Sequence, residues 1–523
     1  MTSAPQAPGL YFTVQPREPE KSPLRSDVAA FTGRTRRGPL GTTVRVEGWR
    51  AYLATFGGLD AQLETPYSIR GYFENGGEVA WVVRLTGDPS PATPVATAGV
   101  VLQVGALDAA GIRQAGFPAG FRFGQYRFEG SSPGAWANGT QVTVQYRLEG
   151  FSGTPEVDVV VEAPDEPVEY LPGIEPELLE ERVAERSRLI RVLPIGLEAQ
   201  GPQPLGPRQR EWMVTLAGGV DPAPSRVDYL DAIRILSEEP EIALVALPDL
   251  YTDLNVQEEQ IEVLNEAIQK AEDLHDRMVL IDLPPDVQDA NAALAYAGER
   301  KAGELDKALR ASAIYHPRLR IPDPKGGIAH PVRVVPPSGH VAGVISRLDR
   351  LRGAHHTPAN APMFEVVDVT TGFDRSEQAL LNEAGVNLLR CMPGRGIVVW
   401  GGRTLGGDLS TFIAHRRLIH RLVRAIRRVA EPLVFDINGP ELWLTLVRAI
   451  TTVLLEAWRA GALQGARPEE AFLVKCDAET NPPEEQDLGR MLCEIELAPA
   501  VPMEFILLRV SLSADQGLEI FES

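Results

Sequence analysis

Between residues 210 and 352 the sequence switches repeatedly from short, uninterrupted apolar runs to longer amphipathic stretches. The runs IALVALPD (242–249), MVLIDLPP (278–285) and AIYHPRLRI (313–321) place apolar side chains at consecutive positions, so each strand needs cover on both faces. Stretches near 255–274, 286–311 and 340–351 supply the covering helices. Strand-then-helix order of this kind is the pattern of an α/β sheet, and it fixes the fold class of the middle of the chain.

On either side the pattern differs. Upstream, AAFTG (29–33) reads as a strand and 49–56 as a helix. Asn75-Gly76-Gly77 ends a further helix before a buried strand at 79–85. Beyond a Pro-rich loop at 86–97 the period changes to two: Val142, Val144, Tyr146 and Leu148 alternate with Thr143, Gln145 and Arg147. The expectation is a β-rich segment over 98–175, then a charged helix at 176–190. Residues 1–22 carry Pro5, Pro8, Pro16 and Pro19 around one apolar patch, 10–14, and cannot build a core of their own. The chain thus divides into an extended arm (1–22), an outer α/β region (23–375) and a C-terminal domain (376–523) holding two strong helices and terminal strands.

Composition narrows the function. A chain of 523 residues with 44% apolar and 23% charged residues is globular and has several domains. Its net charge of −20 disfavours bulk attraction to nucleic acid or anionic lipid, so any anion contact must be local. Cys391, Cys476 and Cys493 lack CxxC spacing and read as reduced, cytosolic-type thiols. The first residues lack the basic start and apolar stretch of a secretory signal, and no window reaches the roughly 18–20 apolar residues of a membrane span. Synthesis and folding in the cytoplasm are expected.

Several residues invite a chemical reading. Asp249 and Asp282 follow strands, where open α/β sheets bind ligands, and could form a catalytic pair; an Asp there also commonly caps the next turn or helix. Gly394-x-Gly396 in GRGIVVWGG lacks the third glycine of a dinucleotide turn and more simply lets the strand VVW enter and leave between tight turns. His355 and His356 are adjacent and chelate poorly without a further ligand. Neither a cofactor nor a metal is expected.

The clearest signal lies at 412–429. At 100° per residue Arg417, Arg421, Arg424 and Arg428 fall on one stripe, flanked by Arg416, His420 and Arg427, with Ile419, Leu422, Val423 and Ile426 opposite. One face docks and the other is cationic. The cationic face is a solvated surface, an intramolecular partner for the acidic excess elsewhere, or an electrostatic dock for an acidic partner; nucleic acid is the lesser alternative. The next helix, 440–463, has a broad apolar face from Leu442, Trp443, Leu446, Val447, Ile450, Val453, Leu454 and Trp458 and belongs to a core.

In this order the segments resemble the sheath subunit of contractile phage tails and related contractile injection systems. The resemblance runs through Pro8-Gly9-Leu10-Tyr11, AFTGRTRRGPLGTTVRVEGWRAYLATFGG (30–58), YFENGGEVAWVVRL (72–85), SSPGAWANGTQVTV (131–144), LAGGVD (216–221) and EIALVALPDL (241–250). It continues through VNLLRCMPGRGIVVWGGRTL (386–405), WLTLVRAITTVLLEAWRAGALQGARPEEAFLVKCD (443–477) and LAPAVPMEFILLRVS (497–511). Leu10 stands where the family often has Val, and Ala137 where it often has Gly.

The resemblance implies a mixed α/β, multi-domain sheath fold with an inner C-terminal domain and extended terminal arms. It implies a structural, non-enzymatic role: hexameric rings stacked as a helical sleeve around an inner tube, assembled on a baseplate, closed by a terminator or cap, and shortening to drive the tube forward. The expected partners are further copies of the chain, the tube, the baseplate and the cap, without direct contact to nucleic acid or membrane. By the same resemblance Arg416, Arg417, Arg421, Arg424 and Arg428 face the tube. Leu10, Tyr11, Phe12 and Val14 of the arm, with Phe505, Leu507 and Val510 of the terminal strand, serve strand exchange between subunits. Assembly takes place in the bacterial cytoplasm, and the product is part of a virion or of a tail-like particle outside the cell. An α/β enzyme using Asp249 and Asp282, or a cap or baseplate component of the same machine, remain the alternatives.

Overall fold

In the computed structural model the described residues are 25–87, 99–103, 125–149, 154–175, 178–195, 211–303, 305, 307–406, 412–434, 436–500, 506–513 and 517–522. The arm residues Leu10, Tyr11, Phe12 and Val14, and Phe505, lie outside them, as does most of the Pro-rich loop.

The continuous apolar runs form the middle of an eight-stranded sheet, ordered Gly396–Trp400, Val386–Met392, Ser312–His316, Met278–Ile281, Leu244–Ala246, Ala29–Gly33, Val79–Arg84, Thr43–Glu47. The six inner strands are parallel and each edge strand is antiparallel. Within each run the side chains alternate between two cores. Ala30, Val83, Val245, Val279, Ile281 and Ile314 meet helices Arg226–Ser237, Gln257–Leu274 and Ala290–Lys301. Phe31, Val82, Leu244, Ala246, Leu280 and Tyr315 meet helices Gly48–Phe56, Thr65–Glu74 and Ser338–Arg352. Cover on both faces is what consecutive apolar residues require. Two of these helices touch through glycine: a Cβ on Gly339 would lie 2.2 Å from the Ser68 carbonyl oxygen, and one on Gly343 2.4 Å from that of Tyr72.

Three expectations need correction. The boundary at 376 is too early, because Val386–Met392 pairs in parallel with Ser312–His316 and belongs to the α/β body; apolar strands after a loop look alike whichever sheet they join. AIYHPRLRI is two strands, and the second, Leu319–Pro322, leaves for a three-stranded sheet with Val332–Val335 and Asp368–Val369. The β-rich segment runs to Thr215, past the charged helix (Leu179–Arg186), which packs Leu179 and Val183 into its core. This β domain is inserted between Val79–Arg84 and Arg226–Ser237 as two sheets around Phe128, Val142, Val144, Val159 and Val161. Arg84, 1% exposed, pins its root by donating to the carbonyl oxygens of Gly38 and Pro133, both at 2.8 Å.

The last domain packs helices Ile413–Ala430 and Pro440–Arg459 on a four-stranded antiparallel sheet, ordered Phe472–Lys475, Arg490–Leu497, Ile506–Ser513, Gly517–Glu522. Its core joins Leu418, Leu422, Val423 and Ile426 to Trp443, Leu446, Ile450 and Leu454, and to Met491, Cys493 and Ile495.

Candidate functional site: the arginine helix and the terminal sheet

The arginine helix (Ile413–Ala430) has a core-facing side, as its periodicity requires, but its cationic side is not a solvated stripe. Arg416 is fully buried and donates to Glu272 Oε2 at 2.9 Å, beside His275 Nδ1 at 3.2 Å. Glu272 also accepts from Arg310 Nε at 2.9 Å. Arg417, 4% exposed, donates to Asp349 Oδ1 at 2.7 Å, Asp349 Oδ2 at 2.6 Å and the Ser26 carbonyl at 2.6 Å. Arg424 donates to the Glu241 carbonyl at 3.1 Å, and Arg427 to Asp276 at 3.2 Å.

Every one of these acceptors lies in the α/β body or at the root of the arm, so this face is a charged joint between two domains. Assigning Arg416, Arg417 and Arg424 to a tube-facing stripe is therefore corrected: their guanidinium groups are consumed inside the subunit. Of the residues assigned to the tube, Arg421 is exposed and Arg428 half-buried. The Arg421 guanidinium lies near Gly353, in the loop that carries the histidine pair, 3.7 Å from where a Cβ on that glycine would stand.

The joint is dry enough to move proton equilibria. Burial, reinforced by the neighbouring charges of Arg416, His275, Arg424 and Arg417, holds His420 well below the ordinary imidazole range, so it is neutral. Burial pushes the Arg424 guanidinium down to about 10. No local pattern marks the acids Glu272, Asp276 and Asp349 as partners of the helix. The available signal was indirect: a helix with arginines and no acid of its own must find carboxylates elsewhere.

Asp249 and Asp282 do not form a catalytic pair. Asp249, fully buried, accepts from the backbone N–H of Arg34 at 2.9 Å and of Glu64 at 2.6 Å, fixing the start of helix Thr65–Glu74. Asp282, 4% exposed, accepts from Ser338 N at 2.9 Å and Ser338 Oγ at 2.6 Å. Burial pushes the Asp282 carboxyl up to about 6, but its oxygens face backbone and hydroxyl donors. The His355 and His356 rings sit 4.3 Å apart, and no group of three or more metal-ligating side chains occurs among the described residues. Gly394 and Gly396, at φ +74° and +73°, make the turn between two antiparallel strands, the structural role expected of them.

In the terminal sheet, Leu507 and Val510 stand opposite Glu496 and Cys493 of the same chain, and Ile506–Ser513 is an inner strand. Val510 also stands opposite Ile520 and so has a neighbouring strand of its own chain on each side, whereas Leu507 is paired among the described residues on the Arg490–Leu497 side alone. The edge strands Phe472–Lys475 and Gly517–Glu522 pair on one side only among the described residues.

A body of two cores, an inserted β domain and a helix-and-sheet terminal domain now has external comparisons. The family model described as the phage tail sheath protein central domain matches residues 223–405, and that of the phage tail sheath C-terminal domain matches 408–513, together more than half of the chain. The chain belongs to the phage tail sheath family. The break between the two matches falls where the sheet ends and the arginine helix begins.

The tail sheath protein of Vibrio phage KVP40 is 26% identical over 189 residues, a stretch covering 35% of this chain and only 27% of that protein. Solved structures cover nearly the whole chain. The sheath tail protein of Listeria innocua matches with a TM-score of 0.64 at 11% identity, over 94% of this chain and 95% of that one. The helical sheath of the anti-feeding prophage in its contracted state matches at 0.54 and 20% identity, over 96% and 98%. The sheath complex of an extracellular contractile injection system, also contracted, matches at 0.52 and 17% identity, over 96% of each chain. Among the described residues no helix is long and apolar enough to cross a membrane.

Proposed function

We propose that this chain is the structural subunit of a contractile sheath, polymerising as a helical sleeve around an inner tube and shortening to drive that tube through a target envelope. The observation that carries this reading is family membership across both the central and the C-terminal domain, combined with a fold shared end to end with sheath chains from contracted helical assemblies. The work is mechanical and no reaction is catalysed: Asp249 and Asp282 hold helix starts.

The architecture suits such a role. The charged joint makes the α/β body and terminal domain one unit, so a change of sleeve length falls on contacts between copies. An arm segment, Leu10 to Val14, of a neighbouring copy adds to an open edge of the terminal sheet, where unpaired backbone groups accept a strand. Head-to-tail contacts of this kind propagate into open helices. Arg421, with Arg428, meets an acidic tube surface. Exposed ion pairs contribute about 0–1 kcal/mol each, weak enough to be released copy by copy. Baseplate and cap proteins bound the sleeve, and assembly takes place in the bacterial cytoplasm before release in a phage tail or tail-like particle.

Electron microscopy of the full chain mixed with its tube tests the reading. Striated sleeves on the tubes are expected; dispersed monomers under all assembly conditions contradict it.

A further inference from the structure

The strand pairing of the terminal sheet brings together two cysteines far apart in sequence. Strand Phe472–Lys475 runs antiparallel to Arg490–Leu497 with Phe472 opposite Leu497, Val474 opposite Ile495 and Lys475 opposite Glu494. The next residues outward in that register are Cys476 and Cys493. The Ala498 N–H donates to the Ala471 carbonyl at 2.9 Å, which marks that opposed pair as hydrogen-bonded. Because hydrogen-bonded and non-hydrogen-bonded pairs alternate along an antiparallel ladder, Cys476 and Cys493 fall on a non-hydrogen-bonded pair, where Cα atoms approach to about 4.5 Å and side chains are closest. That spacing lies within the roughly 4.4–6.8 Å range of disulfides. Both side chains belong to the same core, with Cys493 inside it and Cys476 packed against it.

We propose that Cys476 and Cys493 are an oxidisable dithiol that closes as a cross-strand disulfide and fastens the sheet's edge strand to its neighbour. Cys493 is fully buried, whereas Cys476 is half-buried and is the sulfur an oxidant reaches. The neighbouring Cys493 thiol holds the Cys476 thiol below its ordinary range, and Cys476, with burial, pushes Cys493 up. Cys476 is thus the nucleophile and Cys493 the resolving thiol. Asn481, fully buried, keeps this end of the ladder closed: it accepts from Leu492 N at 2.6 Å, donates to the Leu492 carbonyl at 2.9 Å and points Nδ2 at Cys476 Sγ from 3.6 Å.

The oxidant is of the hydroperoxide class. With hydrogen peroxide, the Cys476 thiolate attacks one peroxide oxygen and the O–O bond breaks. The other oxygen leaves as hydroxide and takes a proton, so Cys476 becomes a sulfenic acid as the peroxide is reduced. The Cys493 sulfur, giving up its proton, then attacks the Cys476 sulfur; the S–O bond breaks and a second water leaves. One peroxide and two thiols give one disulfide and two waters. The pair stays reduced in a glutathione-buffered compartment and closes outside it.

The test is to treat the folded, full-length chain with hydrogen peroxide, alkylate remaining thiols and map the peptides by mass spectrometry. Cys391, exposed and on a different sheet, serves as the internal control. The expected result is a mass loss of about 2 Da with the Cys476 and Cys493 peptides joined and Cys391 still open to alkylation. The linked chain melts several degrees higher, and a thiol reductant reverses the shift. Repeating the experiment with Cys391→Ser keeps intermolecular links out, and Cys476→Ser removes both the link and the melting shift. Two alkylatable thiols under conditions that oxidise Cys391, a Cys476 that proceeds to sulfinic acid without a linked peptide, or a linked chain that melts no higher each overturn the proposal.

Discussion

Arg417 grips Asp349 with two hydrogen bonds, of 2.7 and 2.6 Å, between side chains that are almost wholly buried. Through this fork the terminal domain is fastened to helix Ser338–Arg352 of the α/β body, and the third donor contact, to Ser26, ties in the root of the arm. The feature that most resembled a docking surface is thus an internal fastening.

Removing one partner of a buried pair leaves an uncompensated charge, a loss of about 3–5 kcal/mol, whereas replacing both by apolar side chains costs much less. Arg417→Ala is therefore expected to lower the urea midpoint strongly, and Arg417→Met with Asp349→Leu to recover most of the loss. Equilibrium denaturation of the two variants is the check. An Arg417→Ala protein as stable as the parent removes the fastening role.

Arg421 and Arg417 separate the two roles the helix can have. Arg421→Glu is expected to leave monomer stability within about 0.5 kcal/mol of the parent, as exposed substitutions do, while reducing sleeve formation on tubes. Arg417→Glu is expected to fail at folding. Pelleting of sleeves alongside thermal melts reads both. Unchanged assembly by the Arg421 variant ends the tube assignment.

A glycine in a helix normally gains from replacement by alanine, by about 1 kcal/mol. Gly339 is expected to do the opposite, since its added Cβ would meet the Ser68 carbonyl oxygen at 2.2 Å, a backbone atom that cannot swing away. Gly339→Ala should destabilise by about 1–3 kcal/mol through helix separation. A gain in melting temperature would show that the two helices part freely.

His340 is fully buried, neither ring nitrogen has a hydrogen-bond partner, and burial with the nearby Arg70 charge pushes its pKa down to about 4. The fold holds the neutral ring, so its contribution is complete above the unfolded value near 6.5 and is lost as pH falls toward 4. The stability of the parent relative to His340→Leu should therefore decline between about pH 7 and about pH 5, by at most about 1.4 kcal/mol per pH unit. Urea midpoints at the two pH values measure it; a constant difference contradicts the assignment.

What was legible in the sequence follows from how local its cause is. The doubly covered sheet could be read from runs such as MVLI because consecutive apolar residues have no other use, and the turn at Gly394 and Gly396 because positive φ is a property of those residues. The apolar side of the arginine helix was equally readable. Its other side was not. Periodicity says which residues share a face, but Glu272 and Asp349 come to that face from helices far away in sequence, and only the fold brings them there. The domain boundary failed for the same reason: whether Val386–Met392 joins one sheet or another depends on its partner strand. The register that opposes Cys476 and Cys493 is likewise a property of two strands together.

The most direct measurement is a density map of the assembled sleeve at side-chain resolution. Residues 10–14 of one copy are expected to lie as an added strand against an open edge of another copy's terminal sheet, with Arg417 and Asp349 still joined in each subunit. A map in which the arm folds back on its own subunit, with adjoining copies touching only through side chains, would contradict it.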